Sequence, residues 1–401
     1  MSPGPPVPAG RIHHPGASFA GLFIVTFCCL IAVGSVLPVL PRYVHGPLGY
    51  GDVAVGVVIG IYALTGLLLR PVAGRLADRW GRKPTVLLGC LLVVASGLLY
   101  LPHAGLAGLI AARLVLGVGE GSVYTAGSAW IVDMAPVARR GRVLGLYGLA
   151  VWGGLSVGPL AGEVILNASG YTAVWLFAAG VPLLGGLVAT LVADPFTPHS
   201  HSEPHPLIAP EAVRPGFAVA LASVGYATVA AFIVLMLEDR GVGHGATVFA
   251  AFAASIVVTR VIAGGLPDRV GPAKVAIVAV LAEAGGLVAM AMAQSLPAAI
   301  AGGVAMGAAF SLLNPSLMLI AVGKVSAAAR GSAMGTYTAF FDAGVGIGAP
   351  LAGLAAALTS YKGAFLLAAA ISVASAATIA FGLALGEKQG LDRPTDPAAP
   401  V

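Results

Sequence analysis

Residues 74–84 read GRLADRWGRKP, and five of those positions are charged. The runs on either side are almost pure hydrocarbon. Across all 401 residues only 9% are charged and 58% are hydrophobic, with a mean hydropathy of +0.95. A soluble domain would leave much of that apolar surface facing water. Apolar runs of roughly 20 residues, long enough to cross a bilayer as helices, recur along the chain. Twelve are read: 18–40, 52–73, 84–102, 105–132, 142–165, 171–193, 216–237, 246–266, 273–293, 297–322, 332–357 and 361–385. The expected fold class is an all-α membrane protein, and the charged stretch is the loop between the second and third spans.

The net charge of +5 does not point to nucleic acid, because the basic residues sit in short loops of one parity. Arg75, Arg79, Arg82 and Lys83 follow span two. Arg139, Arg140 and Arg142 follow span four, Arg269 and Lys274 follow span eight, and Lys324 and Arg330 follow span ten. The opposite loops hold fewer: Arg42, His45, His103 and Arg240. The positive-inside rule then places the Arg-rich loops and both termini in the cytoplasm. Arg11, His13 and His14 precede the first apolar run as in a signal peptide, but the run is too long for one and reads as an uncleaved span. Cys28, Cys29 and Cys90 all fall within spans, so neither a disulfide framework nor a metal-ligand spacing is read. High Ala, Gly and Arg with five lysines suggests a GC-rich bacterial genome and hence an inner membrane.

Residues 194–214 are polar and Pro-rich and read as a linker. His199, His201, His205 and Glu203 within it could hold a metal, but a solvated loop is the simpler reading. The expected organisation is a tail at 1–17, a six-helix bundle at 18–193, the linker at 194–214, a second bundle at 215–385 and a tail at 386–401. The two bundles are repeats. Arg70, Gly74, Leu76, Asp78, Arg79 and Gly81 recur 190 residues later in Arg260–Gly271. The same offset relates Arg140, Gly141, Gly145 and Tyr147 to Arg330, Gly331, Gly335 and Tyr337, and Gly154 and Gly158 to Gly344 and Gly348. Six spans per repeat make the halves parallel, with a substrate site expected between them near the midplane.

GRLADRWGRKP resembles the loop signature G-x-L-x-D-R-x-G-R-K/R of the major facilitator superfamily. The match is weaker in the second half, where Pro272 and Ala273 stand for the basic pair. RLVLGVGEG at Arg113–Gly121 is similar to the family's fourth-helix signature. GLSVGPLAGE resembles its antiporter signature at Gly154, Gly158, Pro159 and Gly162, with Glu163 where the last Gly belongs. The resemblance implies twelve helices in two pseudo-symmetric bundles and a drug:proton antiporter. It also implies a cytoplasmic gate from Gly74, Asp78, Arg79, Gly81, Arg82 and Lys83. There Asp78 engages the helix start at Gly331–Ser332 and the motif arginine pairs with Asp133. The alternative is that these charges only set topology.

Ionisable groups within spans each need a reason, at roughly 2.5–3.5 kcal/mol at a helix centre. Arg113, Gly117, Glu120 and Tyr124 share one helical face, and Glu120 and Asp342 both fall near the midplane. A carboxyl that alternates between dry and Arg-paired surroundings loads and releases a proton. Glu120, Asp342 and Arg113 are therefore proton-coupling candidates, with a permanent ion pair as the alternative. Glu283 is a weaker one, and Glu163, towards the outer end of the fifth span, is read as within reach of water. No acid lies between Phe19 and Leu40, where many drug antiporters carry one. Tyr124, Tyr147, Trp152, Tyr226, Asn314, Tyr337 and Phe341 are the expected cavity wall, suited to a lipophilic neutral or cationic solute. The expectation is a monomeric, proton-driven exporter of small amphipathic drugs or metabolites. The partners are solute, protons and lipid, without nucleic acid, metal or cofactor. A nutrient symporter and a non-transporting sensor are the alternatives. No catalytic residue set is read.

Overall fold

The computed structural model describes residues 15–391 apart from 103, 136–139, 194–207, 324 and 326–329. The described chain is helical because, in lipid, a helix satisfies its own backbone polar groups. The first half contains α1 (Pro15–Val36), a short α2 (Val39–His45), α3 (Asp52–Trp80), α4 (Arg82–Leu99), α5 (Gly105–Met134) and α6 (Arg140–Leu191). The second contains α7 (Pro210–Asp239), α8 (Gly245–Ala263), a short α9 (Leu266–Val270), α10 (Pro272–Met292), α11 (Leu296–Val322), α12 (Arg330–Leu358) and α13 (Tyr361–Leu391).

Eleven of these stretches are long and apolar enough to span. At 1.5 Å per residue α6 would be about 78 Å long, more than twice the roughly 30 Å hydrocarbon core. It is broken at Gly170, whose φ of 78° and ψ of −176° no helix contains. The break divides α6 into the fifth and sixth of twelve spans, as the sequence reading has them. Several boundaries differ from expectation. The charged stretch read as a loop is helical on both sides of Gly81, with α3 reaching Trp80 and α4 starting at Arg82. The last helix, α13, continues to Leu391, past the expected tail start at 386. Residues 210–214, read as linker, are the first turns of α7: Pro210 needs no amide partner there, and Glu211 complements the helix dipole. Span eight is shorter than its repeat partner. Gly264 and Gly265 end α8, and Pro267 starts α9, whereas α3 runs unbroken through the equivalent residues. The histidine-bearing part of the linker and His103, Arg139 and Lys324 lie outside the described residues.

In the first half α1 packs on α6, and α3 and α4 pack on α5. In the second α7 packs on α12 and α13, and α11 on α8 and α10. The halves meet along two seams, α3 against α12 and α6 against α8. The 190-residue repeat holds at the level of contacts. A Cβ on Gly117 would strike the Tyr62 carbonyl, and one on Gly307 would strike the Phe252 carbonyl. Gly154 lies against Leu30, and Gly344 against Ala220; Gly158 lies against Gly34, and Gly348 against Val224. Each second pair is the first plus 190.

The Gly-Pro motif of α6 thus holds α1. A Cβ on Gly158 would sit 2.8 Å from the Gly34 Cα, Pro159 Cδ lies 3.1 Å from where a Gly34 Cβ would be, and Gly162 abuts the Ser35 carbonyl. Gly158→Leu should therefore force the two helices apart, with an overpacking cost of about 1–3 kcal/mol or more and a lower melting temperature in detergent. Gly148→Ala, with nothing within 4 Å of the added carbon, should leave the melting temperature unchanged or slightly raised. Equal melting of the two variants would show that the motif does not set this packing.

Candidate functional site

Three charged side chains meet where α3, α5 and α12 converge. Arg70 of α3 donates from Nε to Asp342 Oδ2 at 2.6 Å and from Nη2 to Asp342 Oδ1 at 3.2 Å. The same Nη2 lies 3.6 Å from Glu120 Oε2 of α5. The guanidinium sits 5.6 Å from the Tyr124 ring centroid. Exposures are low: 18% for Arg70, 13% for Glu120 and 5% for Asp342. Arg70 and Glu120 belong to the first half and Asp342 to the second, so the bidentate bond crosses the seam. By helical rise, Glu120 lies about 21 Å from either end of α5, at mid-depth.

Glu120 and Asp342, singled out in the sequence, are therefore brought together. Arg113 is not the cation they share. It lies two turns before Glu120, about 10 Å along the helix, and its fully buried side chain turns into α3. There Nε donates to the Val58 carbonyl at 2.9 Å and Nη2 to the Ile59 carbonyl at 2.8 Å, with the guanidinium 4.4 Å over Tyr62. The cation that the sequence reading missed is Arg70, which it took as the first residue of the loop repeat. Its signal was an arginine preceded by LLL, too deep in the apolar run to reach the loop.

Beside this cluster lies an aromatic group that spans the α6–α8 seam. Trp152 meets Tyr226, Phe252 and Phe310 edge-to-face at 5.9, 6.1 and 5.6 Å. Phe341 lies 6.4 Å from Tyr226 and 6.3 Å from Phe310. Phe252 and Phe310 were not anticipated; they are fully buried and back the half-buried Trp152 and Phe341. Tyr124 is half-buried and stacks on Tyr147. Tyr147 and Tyr337, 1% and 3% exposed, are held inside their own halves. The Tyr147 hydroxyl is 2.5 Å from Thr26 Oγ1, and that of Tyr337 donates to Asn314 at 3.1 Å.

At the end carrying residues 74–84, Gly81 turns the chain with φ 107°, and its repeat Gly271 does so with φ 104°. Gly74 passes Thr125 of α5 at contact distance. Arg82 is buried; it donates to Asp78 and, at 3.0 Å, to Asp133. The motif arginine paired with Asp133 is therefore Arg82, while Arg79 is exposed. Lys83 donates to the Thr190 and Val192 carbonyls at 2.5 and 2.8 Å and so caps the end of α6. Gly331 and Ser332, expected to receive Asp78, lie in the first turn of α12.

The opposite end is tied differently. Arg42 of α2 donates to Glu163 of α6 at 3.3 Å and to Glu238 of α7, and Tyr361 donates to Asp52 at 3.1 Å. Glu163, expected to reach water, is 12% exposed and paired. The Arg42–Glu238 and Tyr361–Asp52 links cross between halves, and there α3 and α12 press together: Gly56 abuts the Ala349 carbonyl, and Gly353 that of Asp52. Glu283 lies apart, fully buried in α10, where one oxygen accepts from Ser372 at 3.4 Å.

The sequence model of the Major Facilitator Superfamily matches twice, over residues 22–246 and 215–400. An uncharacterized MFS-type transporter of Burkholderia mallei (strain SAVP1) is 32% identical over 395 residues, covering 95% of this chain and 96% of the relative. One from Salmonella typhimurium (strain LT2) is 30% identical over 381 residues, with 93% and 98% covered. Among solved structures, a bacterial homolog of the human lysosomal transporter Spinster, inward-facing and unoccupied, superposes with a TM-score of 0.73 at 16% identity, over 97% of this chain and all of that one. With both halves matched and full-length relatives above 30% identity, the chain belongs to the major facilitator superfamily.

Proposed function

We propose that this transporter exports small amphipathic molecules across a bacterial inner membrane, driven by protons, through alternating exposure of the cleft between its halves. The observation that carries the reading is Arg70: one cation held between two acids, one from each half. When the halves part, Asp342 is drawn away from Arg70. A lone carboxylate in a dry cleft is costly, so it must then take a proton. Arg70 keeps Glu120, and closing restores the bidentate pair and expels the proton. Each proton that enters down the membrane potential contributes about 2.3 kcal/mol per 100 mV.

Trp152, Tyr226, Phe341 and Tyr124 are the proposed solute contacts, with Tyr147, Asn314 and Tyr337 as stiffeners behind them. Arg113 is assigned to fixing α5 against α3 rather than to carrying protons. With the Arg-rich loops in the cytoplasm, the ties at Arg42 and Tyr361 close the outer side, and solute loads from within. Asp78 and Arg82, braced by Asp133 and Lys83, are the proposed counterpart that closes the inner side on the start of α12.

In everted vesicles, an exported solute should drive proton efflux. Glu120→Gln and Asp342→Asn should each lower that flux at least tenfold with unchanged insertion. Undiminished flux would remove the relay, and alkalinisation in the reverse sense would favour symport. Arg70→Ala leaves two acids facing each other; it should cost about 3–5 kcal/mol, read as a lower melting temperature that Asp342→Asn partly restores. Arg42→Ala should shift the population towards the outward-open state, seen as a longer spin-label distance between the ends of α3 and α13. Asp78→Asn should slow transport without altering that distance in the same sense.

A further inference from the structure

The constant offset makes each half a control for the other. Arg70 corresponds to Arg260, Gly121 to Ser311, Glu120 to Phe310 and Asp342 to Trp152. Both arginines sit in equivalent places, each beside the α5 or α11 residue that matches. Arg70 has two carboxylates. Arg260 has none: Nε reaches Ser311 Oγ at 3.5 Å and Nη2 reaches the Ser311 carbonyl at 3.2 Å. Among the described residues no acid pairs with it and Nη1 makes no hydrogen bond. The positions that would hold its acids hold Phe310 and Trp152, packed on each other at 5.6 Å.

Arg260 is half-buried. Its side chain turns onto α11, where Ser311 receives it, at the place in the second half that Arg70 holds beside Gly121 in the first. A guanidinium stays protonated in any protein setting, and its planar fork suits a carboxylate. An intramembrane cation without an acid to balance its charge is costly, and such residues mark ion and solute paths. Ser311, which Arg260 touches, follows Phe310, and the Phe310 ring lies 5.6 Å from Trp152, 6.0 Å from Tyr226 and 6.3 Å from Phe341.

Building on the transport cleft read above, we propose that Arg260 is an anion-binding subsite that takes the carboxylate of a solute whose flat apolar body lies against Trp152, Tyr226 and Phe341. The second half has lost its acids because the cargo supplies one. This changes the solute class expected from the aromatic wall alone, from neutral or cationic to monoanionic. An anion that leaves while a proton enters moves charge in the sense that an inside-negative potential favours.

The test is equilibrium binding to the full-length protein in detergent, without any pH gradient. Three probes share a ring system: 1-naphthoate, the uncharged 1-naphthamide and the cationic 1-naphthylmethylamine. Wild type should bind naphthoate at least tenfold more tightly than either of the others. Arg260→Gln should weaken naphthoate at least tenfold, and Arg260→Lys should weaken it less. Phe310→Glu rebuilds the acid of the first half beside Arg260. It should abolish naphthoate binding while keeping the wild-type elution volume, which guards against a loss caused by misfolding. A wild type that does not bind naphthoate, or prefers the amide or amine, overturns the proposal. So does a folded Arg260→Gln that binds naphthoate as wild type does. Anion-selective binding through Arg260 without solute-driven proton flux would sink the coupling and leave this site standing. Proton flux with binding indifferent to Arg260 would do the reverse.

Discussion

The arrangement turns on one guanidinium shared by two carboxylates across a seam. Arg70 cannot give up its charge, so every change in its surroundings must be met by the acids. In the cycle proposed above, the separation of α3 from α12 and the protonation of Asp342 are a single event, because a stray charge in such a medium costs kilocalories. A permanent structural ion pair would want one acid per base and no water. Here there are two acids for one base, and Arg70 and Glu120 are 18% and 13% exposed.

The repeat gives this cluster its meaning. Close glycine contacts recur at the same offset in both halves, at Gly117 and Gly307 and at Gly154 and Gly344. The scaffold is therefore duplicated with its packing intact. The chemistry is not duplicated. Glu120 and Asp342 face Arg70, while Phe310 and Trp152 stand at the matching places beside Arg260. The divergence is repacked locally: Phe310, where the first half has Glu120, is buried against Phe252 and Tyr226 of its own half. The ends of the repeat diverge for a simpler reason: Gly265 and Pro267 break in α9 what Arg75 and Ala77 continue in α3.

Much of this was legible in the chain. Span number followed from hydropathy, including the division of α6, because a turn at Gly170 is demanded by bilayer thickness alone. The two midplane acids were legible because charge in an apolar run is rare. Their partner was not. Arg113 has the right spacing along one helix, but spacing on one helix says nothing of what a neighbouring helix brings, and Arg70 comes from α3. The burial of Tyr147 and Tyr337 was hidden for a related reason: periodicity assigns a residue to a face, while Thr26 and Asn314, on other helices, decide whether that face is closed. Arg42 with Glu163 and Glu238 was illegible because it joins three loops or helix ends distant in sequence.

Alternating access requires two states within a few kcal/mol of each other, and the two kinds of cross-link between the halves fit that demand. Glu238 is 39% exposed, so its pair with Arg42 lies in the class of surface ion pairs that contribute about 0–1 kcal/mol. Tyr361 and Asp52 add one hydrogen bond at the rim. The tight α3–α12 contact around Gly56 and Gly353 is backbone against backbone, with little apolar area to re-expose per residue. These ties are weak enough to open thermally. The link at mid-depth is not: with Asp342 5% exposed, parting it from Arg70 without a proton would strand a charge in a dry cleft. In the proposed cycle a weak rim and a strong centre divide the labour, the rim leaving the direction of opening free and the centre admitting only those openings that carry a proton.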